Sequence, residues 1–396
     1  MNVLISGASV AGTTLAYWLR RHGYIVTVVE RAPAVRPGGY KVDIRGAALE
    51  VVERMGLRDG VRAARTDVRA GSVVDANGKR VAAMDGDTFG GRQHGDAELM
   101  RGDLTTLLYE ASREGVTYLF DDSIEKLSQQ AEGVDVVFAS GRTGTYDLIV
   151  GADGLHSNTR ALAFGSEDQY VRDLGYYVSI STVPNHLGLD REELTYVGPG
   201  RTALTYSTAG ETTAKAMFLF ASESLSYDRH DRAAQQGLLA DAYAGEGWEV
   251  PRLLEAARVA EDFYFDSLSQ VHMERWSTNR VVLVGDAAYC ASPASGQGTS
   301  LALVGAYVLA GELAAAAGDH AAGFAGYERA MRPFVQANQD LGPANIKRMV
   351  MRTKGQVRIS MMMLGLLNRM PGKDRIMAKA IEPIHKAANA IALKTY

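Results

Sequence analysis

The pattern of apolar and polar residues over the first 31 positions predicts a strand, a helix and a second strand. Residues 2–6 (NVLIS) form an apolar run that predicts a buried strand, and residues 25–31 (IVTVVER) form a second one. Between them, residues 11–22 carry apolar positions at helical spacing and stop before Gly23, a residue type that often follows the last helical turn. The pattern predicts a βαβ unit at the start of a parallel sheet.

The middle of the chain changes to short strand patterns separated by turns. Residues 172–275 include the runs YYVSIST, TALTYST and AKAMFLFAS, with one helical stretch near residues 232–245, and predict a second, mostly antiparallel sheet. Residues 280–286 (RVVLVGD) form another apolar run, which we expect to rejoin the first sheet. Residues 299–396 are mainly helical in pattern.

We therefore expect an α/β fold with two interleaved domains. A Rossmann-like nucleotide-binding domain is combined with a substrate domain built on the mostly antiparallel β-sheet, and helices follow at the C-terminal end. The first domain is expected to comprise residues 1–171 and 276–340, with strands of the substrate domain interleaved. The second domain is expected at residues 172–275, and the C-terminal helical segment at residues 341–396.

Composition narrows the class of protein. The chain has 396 residues, 46% of them hydrophobic and 22% charged, which favours a globular protein with a large core. A net charge of −4 and scattered Lys and Arg give no reason to expect nucleic-acid binding. One cysteine, Cys290, excludes an internal disulfide framework, and the eight histidines show no metal-ligand spacing, so we expect no metal site and a reducing cytoplasmic location.

A glycine-rich turn lies between the first predicted strand and helix. Gly7, Ser9 and Gly12 occupy the three small-residue positions of a GxGxxG turn, with serine at the second, and Glu30 ends the next strand. Backbone N–H groups at such a helix start can bind a pyrophosphate, and the carboxylate can accept hydrogen bonds from ribose hydroxyls. An ordinary glycine-rich turn remains the alternative. The expected cofactor-binding residues here are Gly7, Ser9, Ala11, Gly12, Glu30 and Arg31.

A second motif, DGLHSNTR, follows the apolar run at residues 148–152. Asp153 would lie at the carboxyl end of a strand beside the glycine-rich turn, where ligands of doubly wound sheets gather. The plainer interpretation is a tight turn whose serine caps the next helix.

A third motif follows residues 280–284, in the sequence GDAAYCASPASGQGTS. Gly285 and Asp286 would end a strand, and a loop of small residues would lead into a helix beginning near Thr299. Small residues let the backbone approach a planar ring, and a helix start favours negative charge. Such a site suits a flavin, with Asp286 bound to ribityl hydroxyls. Simple helix packing explains the alanines but leaves Asp286 and the loop unexplained.

In this order and spacing, GASVAG with VVER, LMRGDL, DGLHSNTR and GDAAYCASPASGQG resemble the FAD-dependent aromatic hydroxylases over roughly residues 2 to 340. These are single-component flavoprotein monooxygenases of the para-hydroxybenzoate hydroxylase and tetracycline-inactivating type. The resemblance implies that FAD contacts Arg101, Asp153 and Asp286, and that GGYKVDIRG places Arg45 near the flavin. The residues implied to line the flavin ring are Pro293, Gly296, Gln297 and Gly298.

Three residues depart from the pattern of this family. Tyr289 stands where histidine is common, Ser300 where asparagine is common, and Gly305 where aspartate is frequent. These changes concern details of flavin contact and leave the Gly-Asp core in place. Cys290 lies in the same loop, and we interpret it as a packing residue and not as a nucleophile.

The resemblance also implies the reaction. NADPH or NADH reduces FAD, O₂ forms a flavin C4a-hydroperoxide, and one oxygen atom enters a small aromatic molecule, phenolic or polycyclic. The sequence assigns no catalytic acid or base. Residues 172–275 contain several Tyr and His candidates, including Tyr177, Tyr196, Tyr206 and Tyr264, and most of these are expected to be core or interface aromatics. A flavoprotein reductase or dehydrogenase and a non-catalytic FAD-binding protein remain alternatives, whereas the absence of a WxWxIP-like segment disfavours a halogenase. The protein is expected to be a monomer or homodimer.

The C-terminal residues 348–396 are basic and rich in methionine. A basic amphipathic helix can bind a membrane surface or another protein. The plainer interpretation is a helix that covers the flavin domain, with flexible methionines filling irregular gaps. We favour the latter and therefore expect no membrane association of this segment.

Overall fold

The computed structural model describes residues 1–36, 38–93, 95–371 and 373–396. Its strands are β1 Asn2–Ser6, β2 Ile25–Glu30, β3 Lys41–Ile44, β4 Ala70–Val74, β5 Arg80–Asp85, β6 Ala97–Met100, β7 Thr117–Phe120, β8 Ile124–Gln129, β9 Val134–Phe138, β10 Thr143–Tyr146, β11 Leu148–Gly151, β12 Val171–Pro184, β13 Glu192–Gly198, β14 Arg201–Ser207, β15 Thr213–Ala221, β16 Tyr264–Val271, β17 Ser277–Thr278 and β18 Val281–Leu283.

The helices lie mostly in the second half of the chain. They are α1 Val10–Arg21, α2 Ala47–Arg54, α3 Arg58–Ala63, α4 Gly86–Phe89, α5 Arg101–Ser112, α6 Asn158–Phe164, α7 Arg232–Ala242, α8 Val250–Val259, α9 Asp286–Tyr289, α10 Gly298–Ala315, α11 His320–Gln339, α12 Leu341–Met349, α13 Lys354–Leu367 and α14 Lys373–Ala388, with 3₁₀ turns at Glu167–Gln169 and Pro293–Ser295.

A six-stranded sheet forms the first domain, in the order β17-β18-β11-β1-β2-β7. All neighbours are parallel except β17 and β18. The predicted βαβ unit is confirmed, and residues 281–283 return to this sheet as expected. The helices α1 and α10 pack against each other on one face, where Leu15, Leu19 and Leu303 are fully buried. The carboxyl ends of β1, β11 and β18 therefore meet at one edge.

A seven-stranded sheet forms the second domain, in the order β16-β12-β15-β14-β13-β4-β5. It is antiparallel apart from the parallel pair of β13 and β4. The strands β4 and β5 come from residues 70–85, within the range where the sequence analysis expects substrate-domain strands to be interleaved with the first domain. The helix near residues 232–245 is present as α7, and a second helix, α8, was missed.

The small sheet of β3 and β6 lies between the two domains. Lys41 N donates to Tyr206 Oη at 2.9 Å, and Lys41 Nζ forms a salt bridge with Glu98 at 3.1 Å. The Lys41 ammonium also binds Glu193 on β13. These contacts tie the segment that follows the first βαβ unit to the large sheet and fix the orientation of the two domains at this point.

The end of the chain folds back onto the first domain. Tyr396 Oη donates to Glu312 at 2.8 Å, and a Cβ on Gly311 would lie 2.1 Å from the Tyr396 ring, so α10 needs glycine there. The helix α14 is tied to α11, where Asn338 donates to the Ala387 carbonyl oxygen at 3.2 Å. The expectation of methionines that fill gaps is wrong for α13, which has no buried residue.

One helix among the described residues is long and apolar enough to cross a membrane, Gly298–Ala315. Because 72% of it is buried inside the fold, its composition is that of a core helix.

Candidate functional site

Three loops meet in close contact at the carboxyl edge of the six-stranded sheet. A Cβ on Gly7, which follows β1, would lie 2.6 Å from the carbonyl oxygen of Ala152, which follows β11. A Cβ on Gly285, which follows β18, would lie 3.0 Å from the Cβ of Ala11. The predicted convergence of the glycine-rich turn, the DGLHSNTR motif and the Gly-Asp motif is therefore present.

The glycine-rich turn has the geometry that the sequence predicts. Gly7 has a φ of +107°, which side-chain-bearing residues rarely adopt, and a Cβ on Gly12 would lie 1.9 Å from the Gly7 carbonyl oxygen. The turn thus brings the start of α1 against β1. Ser9 is the residue before α1, but its side chain makes no capping hydrogen bond. The first N–H groups of α1 stay available for an anion.

The carboxylate of Glu30 is engaged with the loop backbone. It accepts hydrogen bonds from Ala8 N and Ala32 N, both at 2.9 Å. In this arrangement Glu30 fixes the glycine-rich turn, and its expected contact with ribose hydroxyls stays a prediction. Arg31 follows β2 and is exposed.

Arg101 is the first residue of α5 and reaches the glycine-rich turn. Its Nη2 donates to Ser9 Oγ at 2.9 Å, and its backbone N donates to the Tyr40 carbonyl oxygen at 2.9 Å. Gly39 has a φ of +93° and leaves room for the Arg101 side chain, whose Cβ would lie 3.5 Å from a Cβ added there. The guanidinium is exposed beside the start of α1, where it can neutralise a phosphate.

Asp153 organises its own loop. It accepts hydrogen bonds from Thr159 N at 2.9 Å, Thr159 Oγ1 at 2.8 Å and the Ser157 hydroxyl. The fully buried Arg160 then joins this motif to the third one, because its Nη1 donates to the Ala287 carbonyl oxygen at 2.9 Å. The alternative of a serine-capped turn is also correct here, since Ser157 caps α6.

The loop after β18 opens into a cleft. Asp286, Pro293 and Gly296 are exposed although the residues on both sides of each are buried. A Cβ on Gly298, the first residue of α10, would lie 3.8 Å from Asp286 Oδ1, so the carboxylate faces the start of this helix. Thr299 follows in the first turn. The surrounding protein shields the Asp286 carboxyl group from water, which raises its pKa. The nearby positive charge of Arg101 opposes this rise.

Two buried side chains beside this cleft have polar atoms without a hydrogen bond among the described residues. Gln297 is 0% exposed, and neither its amide oxygen nor its amide nitrogen is hydrogen-bonded. Arg45 is 3% exposed; its Nη2 donates to Asp43 Oδ2 at 2.8 Å and to the Gly90 carbonyl oxygen at 2.7 Å, whereas its Nε makes no hydrogen bond and lies 3.9 Å from Asp96 Oδ2. Arg45 Nη1 lies 3.7 Å from a Cβ position on Gly296. Unpaired donors and an acceptor beside an open, small-residue loop fit the polar edge of a flavin ring.

Two of the departures from the family pattern form one structural pair. A Cβ on Gly305 would lie 1.9 Å from Tyr289 Oη, so the tyrosine occupies the space beside this helical glycine. Tyr289 Oη lies 3.1 Å from Tyr327 Oη, which is 3.0 Å from the Leu283 carbonyl oxygen. The hydroxyl is therefore satisfied inside the core, and both departures belong to packing.

Cys290 is buried, with Sγ 3.7 Å from the Ser269 carbonyl oxygen. Burial raises the pKa of the thiol well above its usual value, which disfavours the thiolate. This supports the interpretation of Cys290 as a packing residue.

Sequence reasoning missed an ionic bridge between the two domains. His156 Nδ1 lies 3.0 Å from Glu167 Oε1, and His156 Nε2 lies 3.1 Å from Asp266 Oδ2 on β16. Although desolvation opposes protonation, the two carboxylates raise the pKa of His156 to about 9. Tyr264 Oη donates to the same Asp266 carboxylate at 2.9 Å. The sequence signal for this bridge was Asp266, the single charged residue in the run FDSLSQV.

With this geometry established, comparison with known proteins identifies the family. A profile of the FAD binding domain family matches residues 1–188 and 257–341, more than half of the chain. The chain belongs to this family. A flavin-dependent monooxygenase of Legionella longbeachae (serogroup 1, strain NSW150) is 39% identical over 342 residues, covering 86% of this chain and 88% of that protein. The protein is accordingly an FAD-dependent monooxygenase.

Two further comparisons cover nearly the whole monooxygenase. An uncharacterized protein of Mycobacterium tuberculosis (strain ATCC 25618 / H37Rv) is 49% identical over 346 residues, covering 87% of this chain and 93% of that protein. The crystal structure of tetracycline destructase Tet(51) superposes with a TM-score of 0.87 at 36% identity, covering 100% of this chain and 99% of that one. The likeness includes the substrate domain and the C-terminal helices as well as the FAD domain.

Asp286→Ala is expected to weaken FAD binding by roughly 1–3 kcal/mol, because it removes an acceptor that faces the cleft and leaves ligand donors unpaired. Titration of the apoprotein with FAD, followed by flavin fluorescence, measures the change. Asp241→Ala, at an exposed position on α7, is the control and should bind FAD as the wild type does. Equal affinity of both folded variants would remove Asp286 from the cofactor site.

Gly305→Ala is expected to destabilise the protein by about 1–3 kcal/mol, because the new methyl group overlaps Tyr289 Oη in a packed core. Tyr289→Phe removes that oxygen, so the double variant Tyr289→Phe/Gly305→Ala should recover most of the loss. Chemical denaturation of the four proteins in a double-mutant cycle measures the coupling. Additive losses would show that the two residues do not share this space.

The His156 bridge predicts a specific dependence of stability on pH. Because the folded-state pKa of about 9 lies above the ordinary value of 6.5, the bridge stabilises the protein fully below about pH 6.5 and is lost as pH rises through about 9. The thermal stability of the wild type relative to His156→Gln should therefore be greatest near pH 6 and should shrink toward pH 10. A difference that grows with rising pH would contradict this assignment.

Proposed function

We propose that this monooxygenase uses NADPH or NADH and O₂ to hydroxylate a phenolic or polycyclic aromatic small molecule. The observation that supports this most directly is the loop that follows β18, where Asp286, Pro293 and Gly296 are exposed while their chain neighbours are mostly buried. The large sheet lies beside this loop, because Val178, Ile180 and Leu219 pack with Ala294 of the Pro293–Ser295 turn in a buried apolar layer. An open small-residue loop next to an apolar sheet suits a flat, largely apolar ligand.

Polar groups at the edge of this layer would orient the ligand. The tyrosine Tyr40 packs against it, and Tyr264 is 44% exposed with its hydroxyl hydrogen-bonded to Asp266. Because Tyr264 donates its proton to Asp266, its oxygen can still accept a hydrogen bond from a substrate hydroxyl. His156, bound to the same carboxylate, holds Asp266 in place. Tyr264 is thus our candidate for a substrate-positioning residue among the four tyrosines considered from sequence.

Bound FAD would supply the hydride acceptor and the oxygen-activating centre of the reaction. The protein residues have three tasks around it. The starts of α1 and α10, with Arg101 and Arg45, favour negative charge on the cofactor. The apolar layer excludes water from the reacting face. Tyr264, held by Asp266, would orient the substrate by accepting a hydrogen bond from its hydroxyl group.

The name of the crystallised neighbour, tetracycline destructase, supports a polycyclic ligand with phenolic groups. A reductase or dehydrogenase on the same scaffold remains the alternative. We also infer a cytoplasmic location, since the lone Cys290 is a free thiol.

The test is NAD(P)H consumption by the FAD-loaded protein across phenols and polycyclic aromatics, including a tetracycline, with product mass recorded under ¹⁸O₂. We expect at least one aromatic compound to accelerate NADPH or NADH oxidation and to gain one ¹⁸O atom. Hydrogen peroxide is measured in parallel to correct for unproductive oxidation. Product formed without oxygen, or oxygen derived only from water, would refute the proposal and favour a dehydrogenase.

A further inference from the structure

The helix α13 places its large apolar side chains toward solvent. Ile359, Met362, Met363 and Leu366 are 56%, 60%, 62% and 56% exposed, and Met370, just beyond the helix, is 50% exposed. Met362, Met363 and Leu366 follow Ile359 by three, four and seven residues, which puts these four on one side of the helical axis, and Met370 lies just past the helix end. We call these five residues the α13 apolar face.

The opposite side of α13 is the one that contacts the protein. A Cβ on Gly365 would lie 3.8 Å from Val81 on β5, and Val357, Met361 and Leu364 are half-buried. A surface helix normally turns its polar residues to water, whereas α13 presents apolar residues on both its inner and its outer side. Single exposed apolar residues are common, but four on one side of a helix, with a fifth just past its end, mark a surface that binds something.

The charge around this face distinguishes the possible occupants. Residues 341–396 contain 11 Lys or Arg and only 2 Asp or Glu, although the whole chain has a net charge of −4. Arg358 on α13 and Arg369 just past its end are exposed, and Lys354 and Arg352 are exposed near its start. A second copy docked face to face would bring two basic surfaces together. An anionic lipid surface would instead attract these basic residues and accept the apolar residues.

We propose that the α13 apolar face binds to the surface of anionic membranes, with the helix lying in the interfacial plane. The flexible methionine side chains suit the irregular boundary between headgroups and acyl chains. The buried helix Gly298–Ala315 has no part in this contact. The proposal reverses the expectation from sequence that this segment does not associate with membranes. It depends on the position of α13 and not on the identity of the substrate.

The test is sedimentation of the full-length, FAD-loaded protein with vesicles of phosphatidylcholine that contain about a quarter phosphatidylglycerol. We expect binding to these vesicles and little binding to pure phosphatidylcholine. Salt near 1 M, where the screening length falls to about 3 Å, should release most of the protein. No binding to the anionic vesicles, or equal binding to both kinds, would overturn the proposal.

Two paired variants locate the contact. One variant carries Met362→Glu with Met363→Glu, which removes apolar insertion, and the other carries Arg358→Glu with Arg369→Glu, which removes charge attraction. Each should lower the vesicle partition coefficient by roughly tenfold or more. The matched controls are Val259→Glu, at a 70% exposed position on α8, and Arg142→Glu, at an exposed turn between β9 and β10. Both controls should bind vesicles as the wild type does.

Flavin content and NAD(P)H oxidation in solution confirm that each variant is folded, since neither pair contacts the cleft. Equal vesicle binding by the paired variants and the wild type would exclude α13 as the contact. The molar mass in solution is measured for all proteins. A dimer that Met362→Glu with Met363→Glu converts to a monomer would assign the face to a second copy and overturn the membrane proposal.

Discussion

The site depends on how closely the backbone of the first turn approaches its neighbours. Gly12 permits α1 to lie against the Gly7 carbonyl oxygen, and Gly7 permits the turn to lie against the Ala152 carbonyl oxygen. A Cβ on Gly12 would lie 1.9 Å from the Gly7 carbonyl oxygen, and a Cβ on Gly7 would lie 2.6 Å from the Ala152 carbonyl oxygen. A side chain at either position would therefore push the turn away from its neighbours. Arg101, Asp153 and the loop after β18 are all positioned from this contact.

Local patterns were sufficient to predict the elements that build this contact. The alternation of apolar runs specified β1, α1 and β2, and the Gly-Asp motif specified the loop before α10. These features depend on residues close together in sequence, where turn chemistry and periodicity act directly. The convergence of the loops also followed, because the carboxyl ends of parallel strands share one edge.

Long-range pairings could not be predicted in the same way. The placement of β4 beside β13 joins residues more than 100 positions apart, as does the bridge from His156 to Asp266. The orphaned amide of Gln297 becomes visible only when its surroundings are known. For α13 the periodicity was readable, but the sequence did not say which face would turn outward. The fit of Tyr289 beside Gly305 likewise required knowing that the two residues are adjacent in space.

The order of strands in the six-stranded sheet has a consequence for the synthesis of this protein. The strands β1 and β2 are made first, but β11 joins β1 only after about 150 residues, and β18 joins β11 after more than 280. Until then the growing chain carries an apolar parallel strand with an open edge, a structure prone to mispairing. Long loops must close before these strands pair, which slows folding. The edge of the unfinished sheet therefore stays exposed to mispairing until β18 has been synthesised and has paired with β11.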